Sequence, residues 1–353
     1  MRLSHLHLPG LTPYATANRI QDVFRSRLLA QKAAASRARR SSAAPAAHPD
    51  ASASPSPSSP SLSSPSLSSP SPSSSSSPPV LLTFTPPPTY TLGRRQHAAP
   101  PQLLAQLRAP GPDGGPAASV AAAAPRGGQT TFHGPGQLVG YVVADLRAVG
   151  VGVGGWVARL EAALVRTCAV WGVRGHGGGA GVDAARTGVW VRRAGHCGRE
   201  AEGVGAEEGR EEKQGKKEKK AEEAGAEEGS RIWRHGQHVE RARGEADALE
   251  RDDGWRKIAA IGIHLRRHVA SHGVALNVST DLRWFERIVA CGMDGRLTTS
   301  LRNEGVADVT VDEAAGAFAA QLAARLGLEA EPYTLPRREV EKLGVELHGL
   351  EGW

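Results

Sequence analysis

The sequence predicts an α/β fold, on three observations. Residues 258–263, IAAIGI, put apolar side chains on both faces of an extended segment, as in a strand covered from both sides. The run LVGYVVADL, which begins at Leu138 behind a Gly-Pro-Gly turn, is a second apolar strand candidate. Between them, Trp156, Leu160, Leu164, Thr167 and Trp171 recur at helical spacing, which gives a helix with one face to lay on a sheet.

Taken in order, the chain opens with a basic segment: the first forty residues hold many Arg and Lys but a single acid, Asp22. That is the composition of a mitochondrial transit segment. It is also compatible with a structural helix, since Thr12 can cap, Pro13 can take the first helical position, and Ile20, Phe24 and Leu28 then share a face. The reading adopted is a helix of the fold, with any targeting role superimposed. Residues 41–79 are almost entirely Ser, Pro and Ala, too poor in apolar side chains to offset chain entropy, and read as a disordered insertion. A strand resumes at Val80 to Phe84, with a proline turn behind it. Residues 98–125 are rich in Ala, Pro and Gly and read as a loop. A glycine-rich turn and the strand Thr187 to Gly195 follow the central helix. Residues 198–253 form a second, charged insertion: positions 199–253 alone carry 17 acidic and 12 basic side chains, a net of −5 that leaves +12 on the rest of the chain. Thr310 and Glu313 make a capping box for a last helix, which carries Phe318, Leu322 and Leu326 on one face and stops at Gly327. One domain over 1–335 and a tail, 336–353, are expected.

Composition bounds the function. A net charge of +7 on 353 residues favours acidic partners without choosing among nucleic acid, anionic lipid and acidic protein. The three cysteines, Cys168, Cys197 and Cys291, are too scattered for a disulfide framework or a Cys-rich zinc site. His264, His268 and His272 recur every four residues, but on a strand that spacing spreads them over about 13 Å, too far to share a metal. No apolar run reaches the roughly 20 residues a membrane span needs.

The stretch that carries chemistry is RGGQTTFHGPGQLVGY, from Arg126 to Tyr141. Gly127 and Gly128 leave no Cβ between a ligand and the backbone, Arg126 offers a fixed cationic fork, and His133 a titratable ring. In its order of Arg-Gly-Gly, Thr, aromatic, His, Gly-Gln and Tyr, the stretch resembles the signature of the lipoyl(octanoyl) transferase family. Here those positions are Arg126, Gly127, Gly128, Thr131, Phe132, His133, Gly136, Gln137 and Tyr141. The segments LPGLTPYATANRIQDVF and TYTLGRR also resemble the family.

The resemblance implies a biotin/lipoate ligase type of domain, a mixed sheet flanked by helices. It implies a catalytic pair, Lys257 in a KIA segment and Cys291 followed by Gly292. The acyl-binding positions it carries over are Arg126, Gly127, Gly128, Gln129, Thr130, Thr131, Phe132 and His133, then Ala260, Ile261 and Gly262, then Gly273, Val274 and Ala275. The implied reaction moves an octanoyl or lipoyl group from acyl carrier protein to a lysine on a lipoyl domain, of 2-oxoacid dehydrogenases or of the glycine cleavage H protein, through an acyl-cysteine. No cofactor, metal, nucleic acid or membrane span is expected, and the implied compartment is mitochondrial. Two other readings stand beside it: an ATP-dependent lipoate or biotin ligase on the same fold, which needs no nucleophilic Cys, and a non-catalytic acyl-binding scaffold.

Overall fold

The computed structural model describes residues 2–42, 77–96, 98–121, 124–178, 187–192, 254–288 and 297–333. Both insertions, the tail and Cys291 lie outside these residues, apart from Ser41, Ser42 and 77–79 at the edges of the first insertion. The described residues, Gly254 apart, belong to one compact unit formed by Met1–Arg192 and Trp255–Trp353.

The chain begins with a strand, β1 (Arg2–Leu11), followed by helix α1 (Tyr14–Ser42) and strand β2 (Val80–Thr85). The basic composition of the first forty residues therefore belongs to folded elements. In β1, Leu3, Leu6 and Leu8 are buried while Arg2 and Leu11 are exposed. Then come β3 (Thr89–Thr91), α2 (Pro101–Leu107), β4 (Ser119–Ala121), β5 (Thr131–His133) and β6 (Gln137–Asp145). Short helix α3 (Leu146–Val149) leads to α4 (Val153–Val170), β7 (Gly175–Gly177) and β8 (Val189–Arg192). The chain closes with β9 (Trp255–Arg266), β10 (Val269–Asn277), a 3₁₀ turn (Leu282–Arg287), β11 (Leu297–Thr298), α5 (Val311–Leu326) and β12 (Glu329–Pro332).

The large sheet has the order β12-β1-β2-β6-β10-β9-β8-β7, and β11 pairs with β9. It is mixed: β1 runs parallel to β12 and β2, β11 parallel to β9, and the other pairs are antiparallel. Strand alternation sends neighbours of β6 to opposite faces. Leu138, Val142 and Ala144 join the core under α4 and α5, with Trp156, Leu160, Leu164, Phe318 and Leu322. Val139, Tyr141 and Val143 join the core under α1, with Tyr14, Ile20, Phe24 and Leu28. Thr310 and Glu313 close the capping box of α5, and Gly327 ends it in a left-handed conformation, φ 67°.

Residues 98–125 are more than a loop. Pro101 starts α2, which buries Leu107, and β4 pairs with β3 in a second sheet of order β4-β3-β5. A third core, of Tyr90, Leu92, Leu107, Phe132 and Trp284, sits against it. The Ala and Pro content hid these elements, because Leu107 finds its partners far away in sequence. The three spaced histidines end up on a hairpin: Arg267 and His268 form its two-residue turn with positive φ, as a type I′ turn requires, and His272 on β10 faces Ile263 on β9.

Candidate active site

The loop 126–131 lies along β9, fixed by hydrogen bonds of its own. Gly127 N–H donates to the Ile263 carbonyl at 2.9 Å, while Arg126 and Gly128 carbonyls accept from the amides of Arg94 and Arg95. Gly128 has φ +87°, a left-handed conformation that a β-branched residue resists. Gly262 on β9 lies directly under the loop, where a Cβ would come within 3.2 Å of Arg126 Cδ and 3.3 Å of the Gly127 carbonyl. The loop can sit this close to the sheet because Gly262 has no side chain.

Between loop and sheet runs a cleft of about 490 Å³, part of it open to solvent. Its walls include Arg126, Gly127, Gly128, Gln129, Thr130, Thr131 and His133 from one part of the chain, and Ala260, Ile261, Gly262, Gly273, Val274 and Ala275 from another. Register explains the meeting, since Ala260 pairs with Ala275, Ile261 with Val274 and Gly262 with Gly273 across the β9-β10 hairpin. A second space of about 310 Å³ shares Thr131, Ala260 and Ala275 with the first and adds Lys257, Gln137, Asn277, Phe285 and Thr298.

Lys257 is only 6 % exposed. Its Nζ lies 5.0 Å from the centre of the Trp190 ring, within cation–π range. Gly188 closes on it from β8, so near that a Cβ there would meet Lys257 Cε at 2.7 Å. Gly188 is in turn held by the buried carboxylate of Glu161 on α4, which accepts its N–H at 3.0 Å. On β9, Lys257 pairs with Thr298 of β11, which follows directly on the segment 289–296 that contains Cys291. Cys291 itself lies outside the described residues.

Two of the sequence expectations change. Phe132 lines neither space: strand alternation turns it away from Thr131 and His133, to stack on Trp284 at 5.0 Å between ring centroids. The Arg126 fork is committed to the protein, with Nη2 donating to the carbonyl and hydroxyl of Thr91 and Nη1 to the Gly127 carbonyl. Since Gly127 N–H is also used, the Arg-Gly pair shapes the cleft wall more than it presents donors to a ligand.

Polar side chains follow the cleft along its inner side. His133 Nδ1 contacts Gln137 Oε1 at 2.8 Å, Gln137 Nε2 donates to Asn277 Oδ1 at 2.9 Å and to the Phe132 carbonyl, and Asn277 Nδ2 donates to the Thr299 carbonyl. Burial, and then the charge of Arg126, push the His133 pKa down to about 3, so the ring is neutral. Tyr14, Val139, Tyr141 and His272 also line the cleft, and sequence reasoning assigned none of them to it. Tyr141 stands within the quoted motif and Tyr14 within the family-like segment LPGLTPYATANRIQDVF, whereas His272 carries no signal of its own. His272 is likewise pushed down to about 3 by burial and Arg126, and burial, then Tyr14, hold the Tyr141 phenol well above its usual range.

Comparison with known proteins gives the family. Residues 71–323 match the family model described as the lipoyl protein ligase A/B catalytic domain. A probable octanoyltransferase of Schizosaccharomyces pombe is 34 % identical over 229 residues, covering 65 % of this chain and 69 % of the relative. Two proteins named octanoyl-(acyl-carrier-protein):protein N-octanoyltransferase, mitochondrial, are similar over comparable spans. The one from Danio rerio is 31 % identical, covering 69 % of this chain and 75 % of its own; the one from Homo sapiens is 35 % identical, covering 69 % and 73 %. A match of this extent, on a mixed sheet that brings two distant segments to one cleft, shows that the chain belongs to the lipoyl protein ligase A/B catalytic domain family.

Proposed function

We propose that this chain is an acyltransferase that moves an octanoyl group from acyl carrier protein to a lysine of a lipoyl domain. The observation that carries the reading is a pair of adjacent spaces along β9: the cleft lined by the segments that resemble the octanoyltransferase signature, and the space of the buried Lys257, which shares Thr131, Ala260 and Ala275 with it. The names of the three relatives supply the acyl group, and two of them its carrier.

The proposed chemistry uses Cys291, whose part rests on the ACG segment of the sequence. Its thiolate attacks the thioester carbonyl, the bond to the carrier sulfur breaks, and the carrier thiol leaves with a proton given up by the Lys257 ammonium. The amine of the acceptor lysine then attacks the acyl-cysteine, an amide forms, and the sulfur of Cys291 departs as thiolate. The proton shed by the amine passes to Lys257 in its amine form. No nucleotide enters, since the acyl group arrives as a thioester. The acceptors proposed are the lipoyl domains of 2-oxoacid dehydrogenases and the glycine cleavage H protein, and the compartment proposed is the mitochondrion, which is named for two of the relatives. The +12 charge outside the second insertion would speed encounter with an acidic carrier.

Incubation with octanoyl-acyl carrier protein, without ATP, followed by intact mass measurement should show one octanoyl group added to the chain, and Cys291→Ser should abolish the addition. A wild-type chain that stays unmodified and transfers only when ATP is supplied would favour the ligase chemistry instead.

A further inference from the structure

Three side chains on the inner wall of the cleft are buried with no hydrogen-bond partner outside their own cluster among the described residues. Tyr14 is 7 % exposed, Tyr141 4 % and His272 2 %; the two hydroxyls lie close enough to interact with each other, and outside the cluster neither they nor the ring nitrogens of His272 find a hydrogen-bond partner among the described residues. They form one cluster: the Tyr141 and His272 rings meet edge to face at 5.0 Å between centroids, and Tyr14 and Tyr141 do so at 6.4 Å. The cluster comes from three elements, α1, β6 and β10, so it is built by the fold rather than by one flexible segment.

Its position along the cleft matters. Ala275 lines both the main cleft and the Lys257 space, and His272 stands three residues further along β10, about 10 Å away. That is comparable with the length of an extended eight-carbon chain. Up to this point the walls an acyl chain would follow are Ala260, Ile261, Val274 and the loop backbone. An alkyl end that reaches further meets four polar atoms and offers none of them a hydrogen bond, which penalises each additional methylene.

We propose that Tyr14, Tyr141 and His272 form a polar stop that sets the length of acyl chain this enzyme accepts. The proposal rests on the octanoyl transfer reading and deepens it: the hydroxyls and the neutral imidazole do not bind the tail, but make longer tails costly. They are specificity-determining residues, remote from the reacting carbonyl.

The variants should remove polarity and keep shape. Phe replaces Tyr at positions 14 and 141 without adding volume. His272 is left unchanged, because its φ of +58° would strain an apolar replacement. The experiment compares octanoyl-, decanoyl- and dodecanoyl-acyl carrier protein as donors to a lipoyl domain, with the full-length chain and its Tyr14→Phe/Tyr141→Phe variant. The readout is the ratio of decanoyl to octanoyl kcat/KM. It should rise about tenfold in the variant, as expected when stranded hydroxyls are removed. An unchanged ratio in a folded double variant that still transfers octanoyl would overturn the proposal. Calorimetric binding of octanoic and decanoic acids to the same proteins gives a second readout independent of turnover, and there too the affinity ratio must shift toward decanoate. Absence of octanoyl transfer by the wild-type chain would instead strike the functional reading, so the two failures are distinguishable.

Discussion

On one face of the large sheet, under α4 and α5, Trp156, Leu160, Leu164, Phe318 and Leu322 are fully buried. The polar groups there are answered: Thr167 Oγ1 donates to the Ala163 carbonyl, and Glu161 takes the Gly188 N–H. The Trp156 indole nitrogen is the exception among the described residues. On the other face, under α1, the same strands bury Tyr14, His133, Tyr141 and His272, and three of these have polar atoms with no partner outside their own cluster among the described residues. Unsatisfied buried groups cost stability, so a fold that keeps them on one face and avoids them on the other separates the work of staying folded from the work of binding.

The sharpest way to break that comparison is at the chemistry. Lys257→Ala should lower acyl transfer by about two orders of magnitude or more while the melting temperature moves little by comparison. Equal loss of stability and activity would return Lys257 to a structural role. On the opposite face, Phe318→Ala should cost about 3–5 kcal/mol by opening a cavity under the sheet, measured by denaturant unfolding, and leave the decanoyl-to-octanoyl preference where it was. A changed preference would mean that the two faces are coupled.

A third test uses the buried histidines. The pKa of His5 is lowered to about 4, and those of His133 and His272 to about 3, chiefly by burial. Below pH 6.5 the unfolded chain takes up protons that the folded rings refuse, so stability is complete above that pH and declines as pH falls toward 3. Between pH 6.5 and 5 the loss should be about 2 kcal/mol for each fully buried ring. His272→Asn, which suits the left-handed backbone there, should shallow the decline in melting temperature. An identical slope would show that His272 does not titrate on unfolding. The smallest effect belongs to the packing face: Thr310→Ala breaks the capping box of α5 and should cost about 1 kcal/mol, with activity per folded molecule unaltered.

Wherever the signal is local, the sequence shows the element. The 3.6-residue spacing of Trp156, Leu160 and Leu164 locates α4, the two-faced apolar run at 258–263 lies within β9, and Thr310 with Glu313 marks the start of α5. β1 is obscured because its alternation, with Leu6 and Leu8 between histidines, is embedded in a basic stretch that composition assigns to targeting or to a helix. The site divides in the same way. The loop 126–131 and the Ala260 and Ala275 segments follow from the quoted motifs, and the structure brings them to one cleft. Tyr14 lies in a segment that resembles the family, yet its place in the cleft and that of His272 depend on the seating of α1 on β6 and β10, a contact that no periodicity within either segment encodes. Phe132 shows the converse, since a motif position need not face the ligand when strand alternation points it the other way.

The chain of amides behind His133 settles where its proton sits. The carbonyls of Thr299 and Phe132 can only accept, so Asn277 turns its nitrogen to the first and Gln137 its nitrogen to the second. Asn277 is then left with its oxygen toward Gln137, and Gln137 with its oxygen toward the ring. The neutral imidazole must carry its hydrogen on Nδ1, and Nε2 keeps the lone pair. Two backbone oxygens thus select the tautomer of a buried histidine through a pair of carboxamides, and exchanging either carboxamide for a carboxylate, which only accepts, would strip one of those oxygens of its donor.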